Sequence, residues 1–240
     1  MAFDSGVLKG GSSLEILAPG VWAGESDLFL PGGIHFRSRM TALEVGRGAL
    51  ALISPNPIDD ALAAELAVHG EVTHLVSPSS FHHLFLKPAR ERYPAARLLA
   101  APSLAVKCPD LSVDESFGDS GSSSLGEEVA HVFIEGAPSA GEVCFFHRSS
   151  RTLIIADLVF NIHEYEGIRT GFVLRAVGAH KKLAVSRIWR RLVRDRAKVR
   201  GSLERVLEWD FDRVVVGHGR VLTNDARAEL ERALAPLLTR

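Results

Sequence analysis

Val72-Thr73-His74-Leu75-Val76-Ser77-Pro78-Ser79-Ser80-Phe81-His82-His83-Leu84-Phe85 reads as a buried strand giving way to a helix. Val72 to Val76 is apolar and β-branched apart from Thr73 and His74, the composition of a short strand inside a sheet. Beyond the serines, Leu84, Phe85, Ala89 and Tyr93 recur at helical spacing until Pro94 stops the pattern. Two adjacent histidines at such a junction are held by rigid elements on both sides, and their imidazoles can face a cleft at the sheet edge. Histidine is the commonest metal ligand, yet an adjacent pair can equally cap a helix or pack.

Outward from this unit, the chain alternates strands and helices. Leu14 to Leu17, Val21 to Ala23, Met40 to Val45 and Ala49 to Ile53 are short apolar or alternating segments set apart by Gly and Pro, which points to an antiparallel start. Pro57 to His69 is rich in Ala and Leu with Asp59 and Asp60 in its first turn, as a helix dipole favours. Strand, helix and strand follow as Val72 to Val76, His83 to Tyr93 and Arg97 to Ala100, with a short helix near Pro102. Asp110 to Gly126 is rich in Ser, Gly and acidic residues and reads as an exposed loop.

A similar second half follows. Val129 to Ile134, Glu142 to His147 and Thr152 to Ala156 read as neighbouring strands, the last two joined by a hairpin-like turn at Arg148 to Arg151. Thr170 to Trp209 has mostly helical spacing, Phe211 to Val216 is a β-branched buried strand, and Asn224 to Leu238 is an amphipathic helix. This order suits an α/β fold in which helices cover sheets. The expected organisation is a flexible segment over residues 1–13, rich in Gly and Ser, and a single domain over residues 14–240.

Composition narrows the function classes. A chain of 240 residues with a formal net charge of −1 has no overall demand for a nucleic acid or a membrane surface. Cys108 and Cys144 lie far apart with no CxxC pattern, against both a disulfide framework and a zinc knuckle. No apolar run approaches the roughly 20 residues needed to span a bilayer, and the first residues lack the pattern of a signal peptide. A cytoplasmic protein with no membrane contact is the expectation.

Three strand ends carry the chemistry. His82 and His83 follow the strand ending near Val76, Asp157 follows Thr152 to Ala156, and His218 follows Val214-Val215-Val216-Gly217. Polar groups at the ends of buried strands converge in a cleft, whereas inside the strands they would lack partners. Each has a plain alternative: Asp157 can cap a helix, and His218 between two glycines can sit in a turn. Together, imidazoles and a carboxylate form a reasonable ligand set for zinc or iron.

With those residues in view, nearly the whole chain, from the Met40 to Ile53 hairpin to the closing Val-Val-Val-Gly-His-Gly, resembles a metallo-β-lactamase-fold protein. Within that superfamily it is most similar to the uncharacterised DUF4336 family, whose members carry a comparable His-His-Leu-Phe segment. The resemblance implies a four-layer αββα sandwich with its site along one edge. The superfamily pattern His-x-His-x-Asp-His falls on Pro78 to His83, so His83 is retained and His82 replaces the aspartate. The next family histidine falls on Ala137, while the later aspartate matches Asp157 and the last histidine matches His218. The positions of one metal site, Pro78, Ser80 and Ala137, therefore lack imidazoles. Those of the other, His82, His83, Asp157 and His218, remain capable ligands.

The resemblance thus implies one divalent metal ion on His82, His83, Asp157 and His218, zinc first, with iron, manganese or nickel as alternatives. Such a site fits Lewis-acid hydrolysis of a small molecule of unknown identity. Four protein ligands would close a tetrahedral zinc, so catalysis would need a higher coordination number or a dissociable ligand. The alternative is a non-catalytic metal-binding or ligand-binding protein that keeps the fold.

Around the site, Ser80 is a candidate supporting hydroxyl, Glu142 a candidate acid or base, and Ser54 and His163 candidate cleft residues. Each can also serve only a turn or a cap. His35, His69, His74, His131, His147 and His180 show no ligand spacing and read as structural or solvent-facing. From Lys181 to Arg205 ten basic residues surround Trp189. Such a face can bind nucleic-acid phosphates, but Ile188, Leu192 and Val199 make it equally the wet side of packed helices.

Overall fold

The computed structural model describes residues 13–118 and 123–239, so the expected N-terminal segment lies outside it apart from its last residue. A seven-stranded sheet takes its strands in chain order: β1 (Glu15–Ala18), β2 (Val21–Leu30), β3 (Ile34–Gly46), β4 (Ala49–Ile53), β5 (Glu71–Ser77), β6 (Arg97–Ala100) and β7 (Glu115–Ser116). The first four are antiparallel, as expected for segments joined by tight turns. From β4 onward the pairs are parallel, because the chain returns through a helical crossover. The first crossover is α1 (Asp60–His69), whose N-terminus is capped by Asp59 accepting the Leu62 N–H at 2.8 Å.

A four-stranded sheet, ordered β11-β10-β9-β8, contains β8 (Val129–Phe133), β9 (Val143–His147), β10 (Thr152–Ile155) and β11 (Arg213–Val216). The remaining helices are α2 (Leu86–Arg92), α3 (Ser103–Lys107), α4 (Ile168–Val177), α5 (Arg187–Arg191), α6 (Arg196–Leu207) and α7 (Ala226–Leu238). None of the described helices is long and apolar enough to cross a membrane, and both cysteines are free.

Strand alternation decides what each sheet face touches. In β9, Val143 and Phe145 join Leu43, Ile53, Val76 and Leu99 of the larger sheet in one buried cluster. Their neighbours Cys144 and Phe146 turn the other way, onto Trp189, Leu203, Val206 and Leu230 of the helices. The far face of the larger sheet packs Leu50, Leu52, Leu75 and Leu98 on Leu62 and Leu66 of α1 and Leu86 of α2. Both faces of the central strands are thus apolar, which is why they read as near-continuous hydrophobic runs.

Three differences from the sequence reading shape the site. First, β2 and β3 extend well past the expected Val21 to Ala23 and Met40 to Val45. They form a long hairpin paired from Val21↔Leu43 to Leu30↔Ile34 and turned at Gly32 and Gly33. Second, the expected His83 to Tyr93 helix begins only at Leu86. The Ser77 hydroxyl lies 3.0 Å from the carbonyls of both Ser79 and His82, so local side-chain bonding holds the histidine pair in a turn ahead of the helix. Third, the helical stretch from Thr170 to Trp209 breaks into α4, α5 and α6, with Gly178 in a left-handed C-cap and Asp195 capping α6. The expected Asp110 to Gly126 loop contains β7, paired with β6.

Candidate metal centre

His218 stands just beyond β11, in a turn that close backbone contacts reserve for glycine on both sides. A Cβ on Gly219, at φ +102°, would lie 2.1 Å from the Asn161 carbonyl oxygen, and one on Gly217 2.8 Å from that of Ala156. The larger sheet reaches across to hold this turn. In β3, the Arg39 N–H donates to the Gly217 carbonyl at 2.8 Å and its buried guanidinium to the Val216 carbonyl at 2.6 Å. Glu25 closes a charge-assisted pair with the same guanidinium.

Those contacts also fix the imidazole. His218 Nδ1 lies 2.9 Å from the Arg37 carbonyl oxygen; a carbonyl only accepts, so Nδ1 carries the proton. Phe160 stacks on the ring at 5.4 Å and Phe36 meets it edge-on at 5.0 Å. Nε2 is left facing Asp157 Oδ1 at 3.5 Å.

Asp157 is placed by the end of β10 and by Glu142. The fully buried Glu142 carboxyl accepts the N–H groups of Ala156 and Asp157 at 2.9 and 3.0 Å. Burial, then the neighbouring Asp157 charge, pushes the Glu142 carboxyl well above the usual carboxylate range. Asp157 goes the other way. Burial alone would raise it, but the imidazoles of His82 and His218 outweigh that effect and hold it well below its ordinary range. Asp157 Oδ2 also accepts the Ser79 hydroxyl at 2.7 Å and lies 3.2 Å from His82 Nε2.

His82, Asp157 and His218 thus each offer a ligand atom, all within 4.8 Å of one another. Among the described residues this is the group so arranged. His83, the fourth expected ligand, stands outside it. It is half-buried on the wall of the same cavity, with a buried Nδ1 that has no hydrogen-bond partner.

The chemistry of the trio fits a cation. With Nδ1 of His218 donating to a carbonyl, a neutral ring turns its Nε2 lone pair onto an anionic carboxylate oxygen. A positive charge between or on these atoms relieves that repulsion, and a divalent ion bound by all three supplies it. The trio lines a cavity of about 470 Å³ whose walls are largely apolar.

No protein-family model and no curated protein matches the chain. Solved structures do. The DIM-1 metallo-β-lactamase exposed to ceftazidime superposes with a TM-score of 0.65 at 12% identity, over 97% of this chain and 99% of that one. FIM-1 from Pseudomonas aeruginosa, in its mono-zinc form, gives 0.63 at 12% identity over 95% and 96%. The metal-soaked Flv1 flavodiiron core from Synechocystis sp. PCC6803 gives 0.60 at 11% identity over 94% of this chain and 61% of that one. The chain has the metallo-β-lactamase fold.

At the positions where the fold's relatives were expected to carry further histidines, this metallo-β-lactamase-fold chain is sewn shut. The Pro78 carbonyl accepts the Val143 N–H at 2.7 Å, the Ser80 N–H donates to the Ala140 carbonyl at 3.0 Å, and the Ser80 hydroxyl to that of Ser139 at 2.8 Å. Ala137 is buried in the adjoining turn. Ser80 is therefore bonded to the neighbouring loop, and it is Ser79 that touches Asp157.

The other sequence candidates have distinct places. Glu142 holds backbone. Ser54 is buried at φ +55°, its N–H on the Val76 carbonyl, while its neighbours Pro55 and Asn56 line the cavity. His163 bonds Asn161 at 3.0 Å and is absent from the lining. Sequence reading missed Ser79, Arg39, Asn56 and Lys107. Of these only Ser79, a small hydroxyl beside a candidate ligand at a strand end, carried a usable signal.

Proposed function

We propose that this chain is a metal-dependent hydrolase of a small molecule, with one divalent ion on His82, Asp157 and His218. The observation that carries the proposal is the His218 ring, pinned through Nδ1 so that Nε2 faces the Asp157 carboxylate at 3.5 Å. An imidazole and carboxylate donor set suits zinc, with iron or manganese as alternatives. A bound divalent ion would supply positive charge that polarises a scissile group and acidifies water.

The protein's part is placement. Three protein donors leave a coordination position free, as catalytic sites do, which removes the difficulty a fourth ligand would raise. Ser79 orients the Asp157 carboxylate, Glu142 the backbone beneath it, and the Arg37 carbonyl the His218 ring, the kind of support that sets ligand geometry. The apolar cavity walls limit water around the site. We read the layers as αββα, with α1 to α3 outside the larger sheet and α5 to α7 outside the smaller. The narrower likeness to the DUF4336 family rests on the His-His-Leu-Phe segment at 82–85.

A non-catalytic binding protein is the second reading, favoured by the bonded seam at Pro78, Ser80 and Val143. A panel of ester, lactone, thioester and phosphodiester substrates, run on zinc-supplemented wild type and Asp157→Ala, separates the two. Hydrolysis by wild type that Asp157→Ala loses supports the enzyme. Equal rates in both proteins remove the catalytic claim.

A further inference from the structure

Resting on the reading of this cavity as the ligand site, we propose that its ligand is an amphipathic anion: a carboxylate or similar small anionic head on an aliphatic body. Two features of the lining carry this. Four of the nine large hydrophobic side chains left exposed among the described residues, Phe29, Phe81, Leu84 and Ile188, at 47, 43, 45 and 53% exposure, border this one cavity, while the other five lie elsewhere on the surface. Such convergence marks a binding surface, whereas scattered exposed apolar residues need no explanation. The apolar wall continues inward to Phe36 and Phe160, which contact the His218 ring itself. The wall between the exposed rim and His218 is therefore mostly hydrocarbon, interrupted by Ser38, Asn56 and Ser186.

The lining carries one lysine, Lys107, and one acid, Asp157, which is already engaged by Ser79, His82 and His218. Lys107 Nζ sits 5.0 Å from the Phe81 ring centroid and donates to the Ser80 carbonyl at 2.7 Å, so a cation is held at the mouth beside apolar surface. A volume of about 470 Å³ is in the range of small-molecule sites. The anionic head belongs beside Lys107, where the lining carries its one lysine. The aliphatic body belongs between the β2–β3 hairpin, which supplies Phe29, and α5, which supplies Ile188.

Calorimetric titration with hexanoate, octanoate and decanoate tests the proposal, with decylammonium and decanol as controls. Affinity should rise about fourfold per added methylene, decanoate should exceed decylammonium at least tenfold, and Ile188→Asp and Leu84→Asp should flatten the series. Both sites are solvent-facing, so these variants should fold. Lys107→Met should weaken decanoate about tenfold and leave decanol unchanged. A flat series, equal binding of decylammonium, or an unaltered series in Ile188→Asp overturns the proposal; unaltered decanoate binding in Lys107→Met overturns its anionic head. Metal content measured on the same samples keeps the two readings apart. Metal without chain-length dependence removes only this inference, and chain-length dependence without metal removes only the hydrolase.

Discussion

The Ser79 hydroxyl donates to Asp157 Oδ2 at 2.7 Å across 78 residues of sequence, joining the end of β5 in one sheet to the end of β10 in the other. It holds the carboxylate between His82 and His218 and leaves Oδ1 for the second imidazole. Ser79→Ala should lower metal affinity about 10- to 100-fold, the usual effect of removing a ligand's hydrogen-bond partner, with the fold retained. Ser80→Ala should change affinity little. Competition against a chromophoric chelator measures both.

Arg39 should matter for stability more than its place in a half-polar strand implies. Its guanidinium is buried against the Val216 carbonyl and pairs with Glu25, so Arg39→Met strips a charge-assisted bond and leaves the buried Val216 carbonyl without this donor, while Glu25 keeps Arg37. A loss of about 2 to 4 kcal/mol in urea denaturation is expected. The same substitution should loosen metal binding, because the turn carrying His218 hangs from the Arg39 N–H and side chain.

Glu142 separates a structural carboxyl from a catalytic one. Raised by burial and held against backbone N–H groups, it is not expected to exchange protons with substrate. Glu142→Gln should keep metal binding and cost about 1 kcal/mol, whereas Glu142→Ala leaves buried donors unpaired and should cost about 3 kcal/mol. A Glu142→Gln protein that is stable, metal-loaded and inactive in an otherwise active panel would instead make Glu142 an acid or base.

Acid should destabilise the fold through His131. Its ring is buried beside Phe117 with neither nitrogen bonded. Burial lowers its pKa below the ordinary 6.5, and Glu115 opposes this only in part. The unfolded chain then takes up a proton below about pH 6.5 that the folded one refuses, so stability is complete above that pH and falls as pH drops below it. His74 and His147, also lowered first by burial, act in the same direction. Each can remove at most about 1.4 kcal/mol per pH unit. The raised Glu142 carboxyl acts the other way, gaining stability as pH falls. Chemical denaturation at pH 7.5 and 5.5 therefore isolates the loss as the difference between wild type and His131→Phe, which should lose less stability on acidification.

How much of this was legible follows from what each residue's position depends on. Ala49 to Ile53 and Arg97 to Ala100 are strands within the bounds read from sequence, because burial on both faces imposes unbroken apolar runs. The outer half of the β2–β3 hairpin was not legible. Glu25-Ser26-Asp27 faces Arg37-Ser38-Arg39 in register, so pairing and charge, with no apolar period, make the strands. Asp157, His82 and His218 were legible as polar groups at buried strand ends. The separation of His82 from His83 was not, since it rests on the Ser77 hydroxyl turning the chain before α2. Nor was Arg39, whose partner Val216 lies 177 residues away.

The most direct measurement is elemental analysis of protein purified without added metal, made on wild type and four single variants. Wild type and His83→Ala should each hold close to one equivalent of a divalent metal, while His82→Ala, Asp157→Ala and His218→Ala, folded by circular dichroism, should lose most of it. A wild type with only a trace of metal, unchanged across the variants, would contradict the site, and an equal loss in His83→Ala would contradict the three-ligand arrangement.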